Sequence, residues 1–171
     1  LPMVIIVEPK EDNPHVELAG LAQLPPPYTV PNYFTNTIPF TSNNLDKIDA
    51  EIKDVFGANL SNVITPDKMR GNLPSVNHAA TAKKWPKLGD ARGKAIFVML
   101  ASGNEKDAYL GLHPGLQGAA MFVFSQPGNP ETAFVRHDDP VPNFNTIQNL
   151  VNSGYMVRTR ADAETEEART G

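Results

Sequence analysis

A carboxylate and an ammonium group stand together near the start of this sequence, at a point where a strand should end. Pro9 cannot donate to a sheet, so a strand that stops there leaves Glu8 and Lys10 at its exit. Two residues apart on an extended chain, their side chains point to one face, with Cα atoms roughly 6.6 Å apart. A carboxylate suits a hard cation such as calcium, and an ammonium suits a phosphate. A structural ion pair at the strand end is the alternative that the spacing leaves open.

Arg158 and Arg160 repeat this arrangement near the other end of the sequence, on one face of a second extended stretch. Two guanidinium groups at a low-dielectric strand exit need anions, either protein carboxylates or a ligand phosphate. Asp162 is placed to satisfy one of them or to cap a following helix. Recognition of a phosphate or polyol and a plain salt-bridge network are both open at this point.

The four histidines are weaker candidates for chemistry: His15, His78, His113 and His137. A packing or surface role is predicted for each, because histidines are often partly buried without special function. His137-Asp138-Asp139 follows a strand, but three adjacent residues of an extended chain do not all point one way. Ser125 also follows a strand, yet the residues around it do not form a nucleophile elbow.

The elements that must position these groups are indicated by the apolar pattern. Apolar runs rich in β-branched residues predict buried strands at 3–8, 94–100, 119–124, 133–136 and 155–160. Helices are predicted at 45–56, after a cap at Thr65 followed by Pro66, at 75–84 and at 142–153, with another opening at 162–169. A Pro-rich stretch at 9–44 reads as a surface excursion. Strands that alternate with helices indicate a parallel α/β architecture.

Two of the helices carry a one-sided apolar pattern that predicts an inward face. In the first helix the inward residues are Leu45, Ile48, Ile52, Val55 and Phe56, and Gly57 ends it. In the second they are Phe144, Ile147, Leu150 and Val151, with Gly154 as the C-cap.

The composition predicts a single globular domain and argues against several classes of protein. The chain has 171 residues, of which 20% are charged, and a net charge of −4, so one globular domain over 1–171 is predicted. Lys and Arg are scattered rather than gathered on one face, which argues against a nucleic-acid partner. The absence of Cys excludes disulfides and thiolate metal sites. No apolar run approaches the ~20 residues of a transmembrane helix.

Five strands are too few for a complete eightfold barrel, which usually needs ~250 residues and has its active groups at the carboxyl ends of its strands. The predicted fold is therefore α/β, an incomplete (β/α)8 TIM-like barrel with parallel strands. An open doubly wound sheet is the rival, but no glycine-rich phosphate loop follows any of the predicted strands.

Longer segments resemble the calcium-dependent phosphoinositide-specific phospholipase C family. They occur in family order over nearly the whole chain: IIVEPK at 5–10, LDKIDAEIKDVFG at 45–57, VITPDKMRG at 63–71, WPKLGDARGKAIFVML at 85–100, YLGLHPGLQGAAMFVFSQPGNPETAFVRHDDP at 109–140 and GYMVRTRADAETEEARTG at 154–171. Several are long and idiosyncratic, VITPD-x-x-RG and VRTRADA-x-T in particular, so chance is a poor explanation.

The resemblance implies the C-terminal two-thirds of the barrel of a secreted enzyme that cleaves phosphatidylinositol lipids at the glycerol–phosphate bond with calcium. The inositol 2-hydroxyl would be the nucleophile, with one His as general base and another as general acid. Glu8 matches a calcium ligand of the family, and Lys10, Arg158 and Arg160 match its contacts to substrate. The implied partners are a phosphoinositide lipid or inositol phosphate and, transiently, a membrane surface.

By the same resemblance, the catalytic histidines and the remaining calcium ligands belong on strands that precede Glu8. They are expected upstream of Leu1, so the catalytic residues are unknown and this polypeptide by itself is expected to be inactive. Two alternatives remain open. One is a non-catalytic relative that binds inositol lipids or phosphates, and the other is a glycerophosphodiester phosphodiesterase that uses a divalent ion.

Overall fold

The computed structural model describes residues 2–9 and 40–160. Within them the strands are β1 (Met3–Val7), β2 (Ala95–Met99), β3 (Met121–Val123), β4 (Phe134–Arg136) and β5 (Met156–Arg158). The helices are α1 (Ser42–Phe56), α2 (Pro66–Arg70), α3 (Val76–Thr81), α4 (Leu88–Ala91), α5 (Asn104–Leu112) and α6 (Phe144–Asn152), and a 3₁₀ turn covers Pro114–Leu116. The predicted strands are confirmed, and each is shorter than predicted by one or two residues at one or both ends. Helices α4 and α5 were not predicted.

The strands all run in one direction. Strands β1, β2 and β3 form a parallel sheet in that order, and β4 pairs with β5 in a second parallel sheet. A parallel bridge between Phe124 and Phe134 connects the two sheets. The chain is therefore a mixed α/β protein with parallel strands. Their carboxyl ends lie on one side, here called the carboxyl edge, which is formed by the residues at and just beyond Val7, Met99, Val123, Arg136 and Arg158.

The array of strands is curved. Val4 and Ile6 of β1 line a cavity of about 220 Å³ together with Met156 and Arg158 of β5, although β1 and β5 lie at opposite ends of the strand order. We call the side of the array that faces this cavity the inner side. Aromatic rings fill part of it, and Trp85 packs edge-on against Phe134 with ring centroids 5.4 Å apart.

Helices α1 and α5 cover the outer side of the first sheet. Phe56 at the end of α1 packs edge-on against Phe97 of β2, with centroids 5.4 Å apart. Leu45 and Ile52 are buried as predicted, but the prediction for Val55 is wrong, since 69% of it is exposed. A helical face of apolar residues is wider than the strip that the sheet covers, and Val55 lies at its margin.

A buried polar network joins these helices to β3. The Asp49 carboxylate of α1 is fully buried, and it accepts hydrogen bonds from the Tyr109 hydroxyl (2.8 Å) and the Ala120 backbone N–H (2.7 Å). Burial raises the pKa of Tyr109 well above its ordinary value, and the charge of Asp49 adds to the shift, so the phenol remains a donor. The network satisfies a charge that would otherwise be costly to bury.

Local capping fixes α2 as the sequence predicts, and a cap that was not predicted begins α3, which covers 76–81 where 75–84 was predicted. The Thr65 hydroxyl accepts from the Lys68 backbone N–H at 3.3 Å, and Pro66 occupies the first helical position. Gly71 ends α2 with a φ of 53°. In α3 the Ser75 hydroxyl accepts from the His78 N–H at 3.1 Å.

The predicted inward face of α6 is the main error. The helix forms, at 144–152 instead of 142–153, but it has no buried residue; Phe144 is 62% exposed and Val151 is 52% exposed. Leu150 packs against the core in part. Gly154 follows the Ser153 cap with a φ of 100°, and a Cβ there would lie 2.2 Å from the Ala80 carbonyl oxygen, so glycine is required for the close approach.

Candidate functional site

Pairing between β4 and β5 brings arginines together at the carboxyl edge. Arg136 and Arg158 are register partners at the ends of these strands. The backbone pairing continues past them, since His137 N–H donates to the Arg158 carbonyl (2.9 Å) and Arg160 N–H donates to the Asp138 carbonyl (3.2 Å). Alternation along the two extended chains then places Arg136, Asp138, Arg158 and Arg160 on one face.

Asp138 lies at the centre of this cluster. Its carboxylate contacts Nη1 of Arg158, lies 3.0 Å from Nε of Arg136 and lies 4.0 Å from Nε of Arg160. The Asp138 side chain is only 16% exposed, so these contacts are partly shielded from water. Three guanidinium groups share a single carboxylate, and the cluster carries two more positive than negative charges. Such a surplus at a partly buried position favours an anionic ligand.

The structure thus places Arg158 and Arg160 side by side, as their spacing predicts. It also brings the Arg136 guanidinium and the Asp138 carboxylate to them. Asp162, the candidate partner in the sequence, lies outside the described residues. Sequence reasoning missed Asp138 and Arg136 as members of the cluster. The available signal was their two-residue spacing at a strand end, the same spacing that identified Arg158 and Arg160.

Glu8 lies at the same edge, one residue beyond β1, and its side chain is exposed. Alternation puts it on the side of β1 that carries Val4 and Ile6, which is the inner side. Arg158 and the inner side of β1 line the same cavity. Glu8 and Arg158 therefore lie at the same edge of one curved array. Lys10 is outside the described residues. The metal and substrate roles of Glu8, Lys10, Arg158 and Arg160 stay predictions.

The described residues do not by themselves form a calcium site. Calcium takes six to eight oxygen ligands, and within 2–9 and 40–160 no group of three or more His, Asp or Glu residues is placed to hold a metal ion. The oxygens of Asp138 are engaged by guanidinium groups. A calcium site that included Glu8 would need its other ligands from outside the described residues.

A second feature of the carboxyl edge is a polar cleft of about 520 Å³ beyond β2, β3 and β4, whose lining includes Lys106, Ser125 and Arg136. The Ser125 hydroxyl donates to the Glu131 carboxylate (2.6 Å) and accepts from Lys106 Nζ (2.6 Å) and Asn129 Nδ2 (3.1 Å). With its proton held by Glu131 and its lone pairs occupied, Ser125 is not set up as a nucleophile. Lys106 was missed because α5 was not predicted, and Glu131 lies in the loop between β3 and β4, where the apolar pattern gives no signal.

The described histidines occupy structural positions. Nδ1 of His78 lies 2.8 Å from the Ser75 hydroxyl at the start of α3. His113 is buried, with Nδ1 donating to the Gln117 carbonyl at 3.1 Å and Nε2 lying 3.4 Å from the Asp49 carboxylate. His137 contributes its backbone N–H to the β4–β5 pairing. His15 lies outside the described residues.

Parallel strands whose charged residues gather at the carboxyl edge are typical of α/β proteins that bind ligands at that edge. The sequence model of the family described as "Phosphoinositide phospholipase C, Ca2+-dependent" matches residues 1–171. The chain belongs to this family. The search of curated proteins returned no match.

One solved structure is similar to the chain, a Ca²⁺-dependent phosphatidylinositol-specific phospholipase C from Streptomyces antibioticus. The match has a TM-score of 0.50 and 18% sequence identity, and it covers 65% of this chain and 44% of that one. At this identity the likeness bears on the fold alone, and it agrees with the parallel α/β arrangement described above. The chain spans less than half the length of that enzyme.

Among the described residues, no helix is both long enough and apolar enough to cross a membrane.

Proposed function

We propose that the full-length protein is a phosphoric diester hydrolase that cleaves phosphatidylinositol lipids at the glycerol–phosphate bond in a calcium-dependent manner. Membership of the phospholipase family supports the reaction class and the calcium requirement. The observation that carries the proposal to particular residues is the arginine cluster around Asp138 at the carboxyl edge. Its surplus positive charge suits the phosphodiester of such a lipid.

Arg158 and Arg160 are the proposed contacts to the phosphate or the inositol, together with Lys10. Arg158 is the stronger of the two described candidates, because it lines the inner cavity and its side chain is 28% exposed against 43% for Arg160. Asp138 holds the guanidinium groups in place, which reduces the side-chain entropy that would be lost when a ligand binds. A preorganised cation of this kind stabilises charge that develops at a phosphoryl group.

The fold that this proposal requires is a (β/α)8-like barrel of which the described strands are a part. The curvature of the strand array, with β1 and β5 lining one cavity, supports this arrangement. In it Glu8 would provide one calcium ligand, and the general base and acid would be histidines from strands preceding β1 in the full-length protein. Secretion is a further proposal that rests on the family resemblance alone.

The identity of the reaction product tests the proposed function. Full-length protein is incubated with phosphatidylinositol vesicles in calcium and, in parallel, in EGTA. A cyclic inositol phosphate formed only with calcium is the expected result, because an internal attack by the 2-hydroxyl yields a cyclic ester. A glycerophosphodiesterase would instead leave these vesicles intact and release glycerol 3-phosphate from the deacylated substrate, glycerophosphoinositol, which is assayed in parallel. Binding of the lipid without any turnover would indicate the non-catalytic relative.

A further inference from the structure

Helix α6 and the residues on either side of it are free of charge. Residues 140–157 contain no Asp, Glu, Lys, Arg or His, although 20% of the residues in the chain are Asp, Glu, Lys or Arg. The polar positions of the helix are instead occupied by Asn, Thr and Gln. A helix surface that faces only water usually carries charges. Uncharged polar groups are far less costly to dehydrate than ions, so this surface can leave water at a lower cost.

The apolar residues at the start of this segment are strongly exposed. Val141 is 87% exposed and Phe144, the first residue of α6, is 62% exposed. Burial of such a side chain is favourable, and nothing in the described part of the chain covers it. Within the described residues, Val141 and Phe144 therefore form an exposed apolar surface.

Val141 and Phe144 lie at the same edge of the protein as the candidate site. The connection from β4 to β5 joins two parallel strands, so it leaves at the carboxyl edge and α6 returns toward the opposite edge. Val141 and Phe144 follow Asp138 closely, and the Asn143 side chain between them donates to the Asp139 carbonyl (2.8 Å), so they lie at the carboxyl edge that also carries the half-exposed Arg136 and Arg160. Val151 lies roughly 10 Å farther along the helix axis, away from that edge.

We propose that Val141 and Phe144 form a tip that inserts into the interface of an anionic lipid bilayer, with the neighbouring arginines contacting lipid phosphates. This inference rests on the proposed function, since a lipid substrate would approach the carboxyl edge from a membrane. Binding of this type combines buried apolar side chains with attraction between basic residues and anionic lipids. The tip and the arginine cluster supply both contributions at one edge of the protein.

The size of the tip favours a lipid surface over a protein partner. A stable protein interface buries about 800 Å² on each partner and involves 20–30 residues. Two apolar side chains at the end of a short helix are far from that extent. Membrane insertion requires no matching surface, so a few side chains at an edge are sufficient when cations flank them.

The test uses full-length protein and vesicles that contain no inositol lipid, so that binding is separated from catalysis. Vesicles of phosphatidylcholine with phosphatidylserine are sedimented in EGTA with wild-type protein, with the double variant Val141→Ser/Phe144→Ser and with Val151→Ser. The double variant should bind about tenfold more weakly or worse, because it loses the apolar contribution of two side chains. Val151→Ser should bind within about twofold of wild type.

The same three proteins are assayed on a water-soluble inositol phosphodiester in calcium. Unchanged turnover by the double variant, together with its weaker vesicle binding, supports the tip. Vesicle binding equal to wild type in the double variant overturns the inference. A loss of binding in Val151→Ser of the same size also overturns it, since the contact with the vesicle would then extend along the whole face of α6 and would not be confined to the tip.

The outcomes for the tip and for the proposed function are separable. If wild-type protein makes no cyclic product but the double variant still loses vesicle binding, the enzymatic proposal fails and the tip stands. If the product forms and all three proteins bind vesicles equally, the tip fails and the enzymatic proposal stands.

Discussion

Helices α1 and α6 have the same kind of one-sided apolar pattern, yet the protein uses them differently. Helix α1 buries Leu45, Asp49 and Ile52, whereas α6 buries none of its residues. The outward positions of α1 are charged, and α6 carries no charge at all. An apolar period therefore predicts that a helix forms, but in these two helices it does not show whether the apolar side is buried among the described residues.

The largest effect on the free energy of unfolding should come from a substitution on the buried face of α1. Replacing Asp49 by Ala leaves the Tyr109 hydroxyl and the Ala120 N–H without their acceptor, and the free energy of unfolding should fall by ~3–5 kcal/mol. Urea unfolding measures it. Asp54→Ala, an exposed position on the same helix, is the control and should change stability by less than ~0.5 kcal/mol. Equal effects of the two changes would contradict the buried network.

A smaller effect is expected on α6. Leu150→Ala should cost ~1–2 kcal/mol, because Leu150 packs against the core only in part. Val151→Ser should change the free energy of unfolding by less than ~0.5 kcal/mol, since Val151 is half exposed. The same unfolding assay checks both. A cost above ~2 kcal/mol for Val151→Ser would mean that the apolar side of α6 is covered within the folded protein after all.

The sequence predicts most of the framework because strands, caps and glycine turns are local signals. Thr65, Pro66 and Gly71 each act through neighbours within a few residues, and their positions are confirmed. Helix α5 was missed because Tyr109 is its only fully buried residue, so it has no apolar period. It is held instead by a hydrogen bond to Asp49, 60 residues away.

In the candidate site, too, the sequence predicts local features but not the contacts between distant residues. The two-residue spacing of Arg158 and Arg160 correctly predicts that they share a face at a strand end. The same spacing indicates that Arg136 and Asp138 share a face, but it does not show that Asp138 meets Arg158, because that contact depends on the pairing of β4 with β5. Lys106 and Glu131 meet at Ser125 through tertiary packing as well, since Lys106 lies on α5 and Glu131 lies in the loop between β3 and β4.

The central claim is that the substrate's phosphodiester binds at the arginine cluster of the carboxyl edge. The most direct measurement is kcat/KM of the full-length protein on phosphatidylinositol for Arg158→Ala, with the exposed Arg92→Ala as the matched control. Arg158→Ala should lower kcat/KM by about 10² or more, because a preorganised cation is lost from the phosphate, and Arg92→Ala should leave it unchanged. A folded Arg158→Ala protein with the activity of the wild type would contradict the claim.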